Sequence, residues 1–272
     1  MLAFDERMLV AVAAALGAGA SRGVSPPELA LLRGAPAAPP NLVRQMRNEI
    51  LAGADPLGEA FCRLRTPKRR PNGATFTPGP IIASMITWAR GHGSPERIVD
   101  PGIGSGRFLV AAGRAFATAE LLRIEIDPLA ALLARAHLAA AGMNRRTHVI
   151  LADYREVTLP TIAGQTLFIG NPPYVRHHHV APKWKAWLTR TAAARGFRAS
   201  QLAGLHVHFY LATLEKARPG DYGSFITAAE WLDVNYGQLV RDLLLNGLGG
   251  SNLQIIEPRR AQLGTARCRA AS

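Results

Sequence analysis

Cysteine is nearly absent from this chain: Cys62 and Cys268 are the only two in 272 residues. Two distant thiols provide neither a disulfide framework nor a metal-ligand spacing, and the expected setting is a reducing cytoplasm. Long apolar runs are missing too. The nearest approach, Met8–Ala20, falls short of the about 20 residues that a bilayer-crossing helix needs. With Asp5 and Glu6 in front of it, the run also lacks the flank of a secretory signal. It reads as a packed N-terminal helix, and no membrane partner is expected. Acid is scarce: 19 Asp plus Glu stand against 32 Lys plus Arg, a formal charge of +13. That balance favours a polyanionic partner, although arginines spread along the whole chain also fit a GC-rich coding bias. No internal repeat stands out. A zinc site is not expected, because the adjacent His177, His178 and His179 cannot all face one ion.

What is present is punctuation of an α/β kind. The Gly34–Pro40 stretch breaks the N-terminal region, and the basic run 66–73 reads as a linker. Residues 1–65 are therefore expected to form a small helical extension, and 74–258 an α/β domain. Residues 259–272, rich in arginine and poor in large apolar residues, read as a disordered or truncated tail. Within the domain, Arg97-Ile98-Val99 is a short strand, and a helical pattern begins at Phe108. Between them lies Asp100-Pro101-Gly102-Ile103-Gly104-Ser105-Gly106. Gly102, Gly104 and Gly106 let the backbone turn tightly and approach a ligand. Asp100, at the strand end, suits the charged amino group of a methionine-like ligand better than a pyrophosphate.

A second strand, from Leu121, ends in Glu125, roughly 20 residues after the glycine loop, a placement suited to ribose hydroxyls. Asp127 reads instead as the cap of a helix starting at Pro128. A third strand, Thr147–Leu151, leads to Asp153, placed to accept from an adenine amine, and Tyr154, placed to line the ring. Gln165–Gly170 reads as a buried strand that delivers Asn171-Pro172-Pro173-Tyr174 at its carboxyl end, where open α/β sheets bind ligands.

That tetrapeptide suggests methyl transfer to a planar amino group. The exocyclic amine of adenine is a poor nucleophile because its lone pair is delocalised into the ring. The Asn171 carboxamide oxygen and the Pro172 carbonyl can each accept one amine hydrogen and draw the nitrogen towards tetrahedral geometry. Tyr174 would stack on the base, a contact worth about 1–3 kcal/mol, which offsets much of the cost of extruding a base from duplex DNA.

These residues, in this order, resemble the gamma-class N6-adenine DNA methyltransferases of restriction-modification systems, from about Thr75 to Glu257. The resemblance implies a class I methyltransferase fold: a Rossmann-like, mostly parallel sheet with helices on both faces. It implies S-adenosyl-L-methionine as cofactor, with Thr77 in a covering segment, Asp100 to Gly106 as the methionine loop, Glu125 on the ribose, and Asp153-Tyr154 at the adenine. It implies double-stranded DNA with an extruded adenine as substrate, held between Tyr174 and Tyr236. Because neither a seventh strand nor a long recognition region follows, a partner subunit for target recognition or restriction is expected.

Three features stay open. Leu253–Glu257 reads as a sixth strand. The polar insert from Val175 to about Leu205, with Lys183-Trp184-Lys185-Ala186-Trp187, reads either as a flap on nucleic acid or as a surface helix whose tryptophans pack down. His206 and His208, in the helix after it, read as structural. Alternative functions are a protein methyltransferase acting on a glutamine amide, as in the release-factor-modifying family, and a DNA-binding remnant without turnover.

Overall fold

The computed structural model describes residues 5–65, 77–102, 104–227, 229–232 and 237–256. The basic linker 66–73, Tyr236 and the tail 259–272 lie outside the described residues. Five strands form one sheet: β1 Arg97–Pro101, β2 Glu120–Glu125, β3 Thr147–Leu151, β4 Thr166–Gly170 and β5 Tyr222–Phe225. Their order is β3-β2-β1-β4-β5, and every neighbouring pair is parallel. The chain runs outward from β1 to β3, then returns to lay β4 against the other side of β1. The loops after β1 and β4 therefore diverge at the point where the winding reverses, which opens a crevice above the carboxyl ends of the strands.

Parallel strands need crossovers, and the sequence supplies helices for them. Helix α6 (Arg107–Ala115) joins β1 to β2, α7 (Pro128–Ala140) joins β2 to β3, and α8 (Pro182–Ala194) with α9 (Leu205–Lys216) joins β4 to β5. Helix α5 (Gly79–Arg90) precedes β1, and α10 (Gln238–Asn246) follows β5. Successive strand residues bury on opposite faces. Ile98, Leu121 and Leu167 meet Phe108, Leu109 and Ile82 of α6 and α5 on one side. Val99, Leu122 and Phe168 meet Phe209 and Ala212 of α9 on the other. That two-sided burial explains why the strands read as apolar runs rather than as alternating ones.

The N-terminal region is helical, as expected: α1 Glu6–Ala15, α2 Pro26–Arg33, α3 Pro40–Leu51 and α4 Pro56–Leu64. Asp5 caps α1 by accepting from the Met8 N–H, and Ser25 with Glu28 forms a capping box on α2. These helices share one core with α7, in which Leu9, Leu16, Ile50 and Phe61 interlock with Leu129, Leu132 and Leu133. A fully buried ion pair ties the layer down: Arg135 Nε lies 2.6 Å from Glu28 Oε1. The same guanidinium donates to the carbonyls of Arg22, Gly23 and Val149, the last of these in β3.

One expected element is absent. Leu253–Ile256 form no strand. The described sheet ends at β5 with no strand beside this segment, and Leu253 and Ile255 stay exposed. Alternating apolar residues make a strand only where they pair with an edge, and this segment pairs with neither β3 nor β5, the two edges of the described sheet.

Candidate functional site

The crevice holds two cavities that meet at Gly102. The first lies between the β1 and β4 loops. Asp100 is buried at the end of β1, and one oxygen of its carboxylate, Oδ2, pairs with Arg123 Nη1. Arg123 also reaches Glu125, at 3.0 Å, and the Gly104 carbonyl, at 3.1 Å. One guanidinium thus sits between the two acids that tip β1 and β2. Burial raises the pKa of both, taking Glu125 to about 7. Burial opposes the charge of Arg123 as well, but the two carboxylates outweigh it and push its pKa upward.

Glu125 is fully engaged. Its Oε1 accepts from the backbone of Ile126 and Asp127, and its Oε2 from Arg123 and the Gly104 N–H. Asp100 differs: its second oxygen, Oδ1, is buried with no hydrogen-bond partner. Gly102 and Gly170 flank that oxygen so closely that a Cβ would stand 3.0 Å from it at Gly102 and 2.8 Å at Gly170. A buried acceptor without a donor is costly.

Helix α4 closes this cavity from the N-terminal side. Asp55 accepts from the Gly58 N–H at the helix start and from the Ser105 hydroxyl in the glycine loop. Gly58 packs so tightly against Asp55 and Ser105 that a Cβ there would collide with both. Gly106 turns the loop into α6 with φ +78°, a left-handed conformation that favours glycine.

Asn171 stands on the opposite wall. Its Nδ2 donates to Thr77 Oγ1 at 3.1 Å, while its Oδ1 is buried without a partner. Thr77 itself is fixed by Arg107, which donates to its carbonyl at 2.9 Å. The asparagine amide is therefore oriented by its nitrogen and unsatisfied at its oxygen. Tyr174 follows, 6.2 Å from the His206 ring between centroids, and burial raises its pKa.

The second cavity, about 250 Å³, lies over the ends of β2 and β3. Ile126, Asp153, Tyr154, Pro173, Trp184 and Phe209 are among its walls. Ile126 is 49% exposed there. Both oxygens of Asp153 are held by Arg155, from Nε at 2.8 Å and Nη2 at 2.6 Å. Those bonds outweigh burial and lower the pKa of Asp153. Tyr154 turns inward: its ring lies 5.3 Å from that of Phe209, and its hydroxyl bonds to Thr213 at 3.0 Å.

The structure thus brings Thr77, Asp100, Gly102, Gly104, Gly106 and Asn171 to the first cavity and Asp153 and Tyr154 to the second; Glu125 borders the first through Gly104 and Arg123, whereas Pro172 and Tyr174 follow Asn171 in the chain without lining either cavity. Tyr236 lies outside the described residues. Asp127 caps α7 as expected, accepting from Leu129 and Ala130, and is ion-paired with Arg65. His206 and His208 are buried in α9, as a structural role requires. Trp187 packs down on His208, with ring planes 15° apart, so the tryptophans of the insert face inward. Four site residues went unread in the sequence: Asp55, Arg123, Arg155 and Trp184. Arg123 had a legible signal, since it stands two positions before Glu125 and a strand's period of two puts both on one face. Asp55 had none, because only the tertiary fold brings α4 over the sheet; Trp184 stood in the basic and aromatic insert, but nothing local tied it to the cavity beside Asp153.

The sheet order, the acids at three strand ends and Asn-Pro-Pro-Tyr at the switch point define a class I methyltransferase fold. A putative class I S-adenosylmethionine-dependent methyltransferase from Listeria monocytogenes shares it, with TM-score 0.54 at 14% identity over 80% of this chain and 65% of that one. The type IIG restriction endonuclease BpuSI superposes with TM-score 0.58 at 19% identity, covering 89% of this chain and 33% of that one. Within the class, residues 163–255 match the Eco57I restriction-modification methylase family. Over 204 residues the chain is 56% identical to the Type II methyltransferase M.XamI of Xanthomonas campestris pv. amaranthicola, a match that covers 75% of this chain and 37% of that protein. The chain therefore spans well under half the length of that relative. These matches bear out the resemblance to restriction-modification methyltransferases. Among the described residues, no helix is long and apolar enough to cross a membrane.

Proposed function

We propose that this chain transfers a methyl group from S-adenosyl-L-methionine to N6 of an adenine extruded from double-stranded DNA. The observation that carries the reading is the Asn171 amide, clamped at Nδ2 by Thr77 and left with a buried, unpartnered oxygen. That oxygen accepts one hydrogen of the target amine, and the Pro172 carbonyl accepts the other. Withdrawing both hydrogens from the ring plane returns the lone pair to nitrogen. Tyr174 holds the face of the base, and Tyr236 is assigned to the opposite face.

The residues over β1 and β2 fit the cofactor. The free Oδ1 of Asp100 accepts from its ammonium group, and Glu125 holds the ribose by exchanging the contacts now made at Oε2 by Gly104 and Arg123. Asp153 and Tyr154 bound the adenine end. When bound, the cofactor would supply a methyl group on a sulfonium, open to direct displacement by the amine, with the thioether of S-adenosylhomocysteine as leaving group and the surplus amine proton passing to solvent. The protein holds donor and acceptor in line, and that fixed geometry accounts for much of the acceleration. A separate subunit for target recognition or restriction is assigned as a partner, and the cytoplasm as the setting.

The test pairs calorimetry with S-adenosylmethionine and tritiated transfer to mixed-sequence duplex DNA, with the product base identified by mass spectrometry. N6-methyladenine is expected. Asn171→Ala should lower turnover by at least about 100-fold, as loss of one oriented hydrogen-bonding group does elsewhere, and leave cofactor binding intact. Full activity in that variant would overturn the mechanism. Methyl transfer to a release-factor glutamine, with none to DNA, would establish the alternative reading; cofactor binding without transfer to either would point to a remnant.

A further inference from the structure

Helix α8 belongs to the insert between the catalytic loop and α9, and the mechanism above gives it no task. Its first turn nevertheless walls the second cavity. Trp184 lines that cavity together with His179, Val180 and Ala181 just before it, opposite Ile126 and Ala152 at the strand ends. The indole is clasped from within the domain: the Arg155 guanidinium lies 3.7 Å from its ring centroid. Arg155 in turn grips both oxygens of Asp153 and contacts His208 Nδ1 at 3.3 Å. His208 is stacked under Trp187, one turn further along α8. Strand end, arginine, α8 and α9 are thus linked through Asp153, Arg155, Trp184, Trp187 and His208. Burial, reinforced by the nearby Arg155 charge, lowers the His208 pKa to about 3, so the ring stays neutral and can remain packed at neutral pH.

From this geometry we infer that Trp184 is a cofactor-binding residue that closes the adenosine half of the pocket, and that Arg155 is the positioning residue holding it there. The inference rests on the assignment of the crevice to S-adenosylmethionine. A planar, weakly polar ring suits the cavity: apolar side chains from Ile126, Pro173 and Phe209 line it together with the indole. Removing the indole removes part of that apolar lining. Arg155 pins Trp184 from the cavity wall, which it also lines, and it holds both oxygens of Asp153 and lowers that carboxylate's pKa.

The test uses the whole chain and two probes, S-adenosylhomocysteine and 5′-methylthioadenosine, the second of which lacks the amino-acid end. In the wild type both should bind by calorimetry, and titration should change the tryptophan emission. Trp184→Ala should weaken both by about tenfold, the scale of one lost ring contact, and remove most of the emission change. Arg155→Ala should weaken both in the same direction, and Arg155→Lys, which keeps a cation beside the indole, should recover part of the loss. Trp184→Phe, with circular dichroism and thermal midpoint matching the wild type, separates pocket loss from misfolding: it should bind better than Trp184→Ala yet lack the Trp184 emission change. Wild-type affinity for both probes in Trp184→Ala would overturn the inference and leave the cofactor assignment standing. No binding of either probe to the wild type would overturn both.

Discussion

Asn171 and Asp100 illustrate how one residue type becomes functional through what its neighbours withhold. Each has one polar atom satisfied and one buried without a partner. Buried polar atoms without partners are rare in folded proteins and call for a reason; the proposed function supplies one, a ligand donor at each. Glu125 shows the reverse, with four donors on two oxygens. Because its pKa is raised to about 7 by burial, the carboxylate takes up protons within a physiological range. The folded protein binds that proton more tightly than the unfolded chain does. Its contribution to stability is therefore fully present below the ordinary glutamate pKa and is lost as pH rises through about 7. Ribose hydroxyls donate to the ionised form, so cofactor affinity should move the other way and strengthen between about pH 6 and pH 8. Thermal midpoints and S-adenosylhomocysteine calorimetry across that range check both trends. Glu125→Gln should flatten each of them, and a persistent slope in that variant would assign the titration to another group.

Among the elements, α7 is the hinge of the architecture. One side supports the glycine loop, where Gly106 lies so near Ala134 that a Cβ there would stand 3.2 Å from the alanine methyl. Another side carries the N-terminal helices, so α4 reaches the first cavity only because α7 fixes its place. The buried Glu28–Arg135 pair secures that layer. Arg135→Met keeps much of the volume but strands the Glu28 carboxylate and three backbone carbonyls. It should cost about 3–5 kcal/mol, the range for breaking a buried pair from one side. Adding Glu28→Gln should recover part of that loss. Urea unfolding of the two variants decides the matter, and a loss below about 1 kcal/mol, as for an exposed pair, would show that the pair does not hold the layer.

For the whole molecule, the excess of basic residues sets how the chain meets a polyanion. With a formal charge of +13, DNA binding should weaken steeply with salt, the logarithmic slope being roughly −0.9 for each phosphate neutralised on duplex DNA. Fluorescence anisotropy on a labelled mixed-sequence duplex, across a salt series, measures that slope. A slope near zero would mean that the arginines reflect coding bias and internal pairing rather than a DNA surface. Several are already committed internally, since Arg123, Arg135 and Arg155 serve buried acids.

The sequence by itself determined β1 to β4, the acids at the ends of β1, β2 and β3, the α7 cap and the Asn-Pro-Pro-Tyr loop after β4, but not β5. Those features are local: an apolar run bounded by glycine and acid specifies a buried strand and its end whatever packs on it. It did not determine whether Leu253–Ile256 pair as a strand, because pairing depends on an edge that the sheet must offer. Nor could it show that Asp55, at the start of α4, reaches the Ser105 hydroxyl, or that Trp184 walls the pocket above Asp153. Those contacts join segments far apart in the chain, and only tertiary packing sets their distances. The orphaned oxygens of Asp100 and Asn171 belong to the same category, since a polar atom is unpartnered only once every neighbour has taken its place.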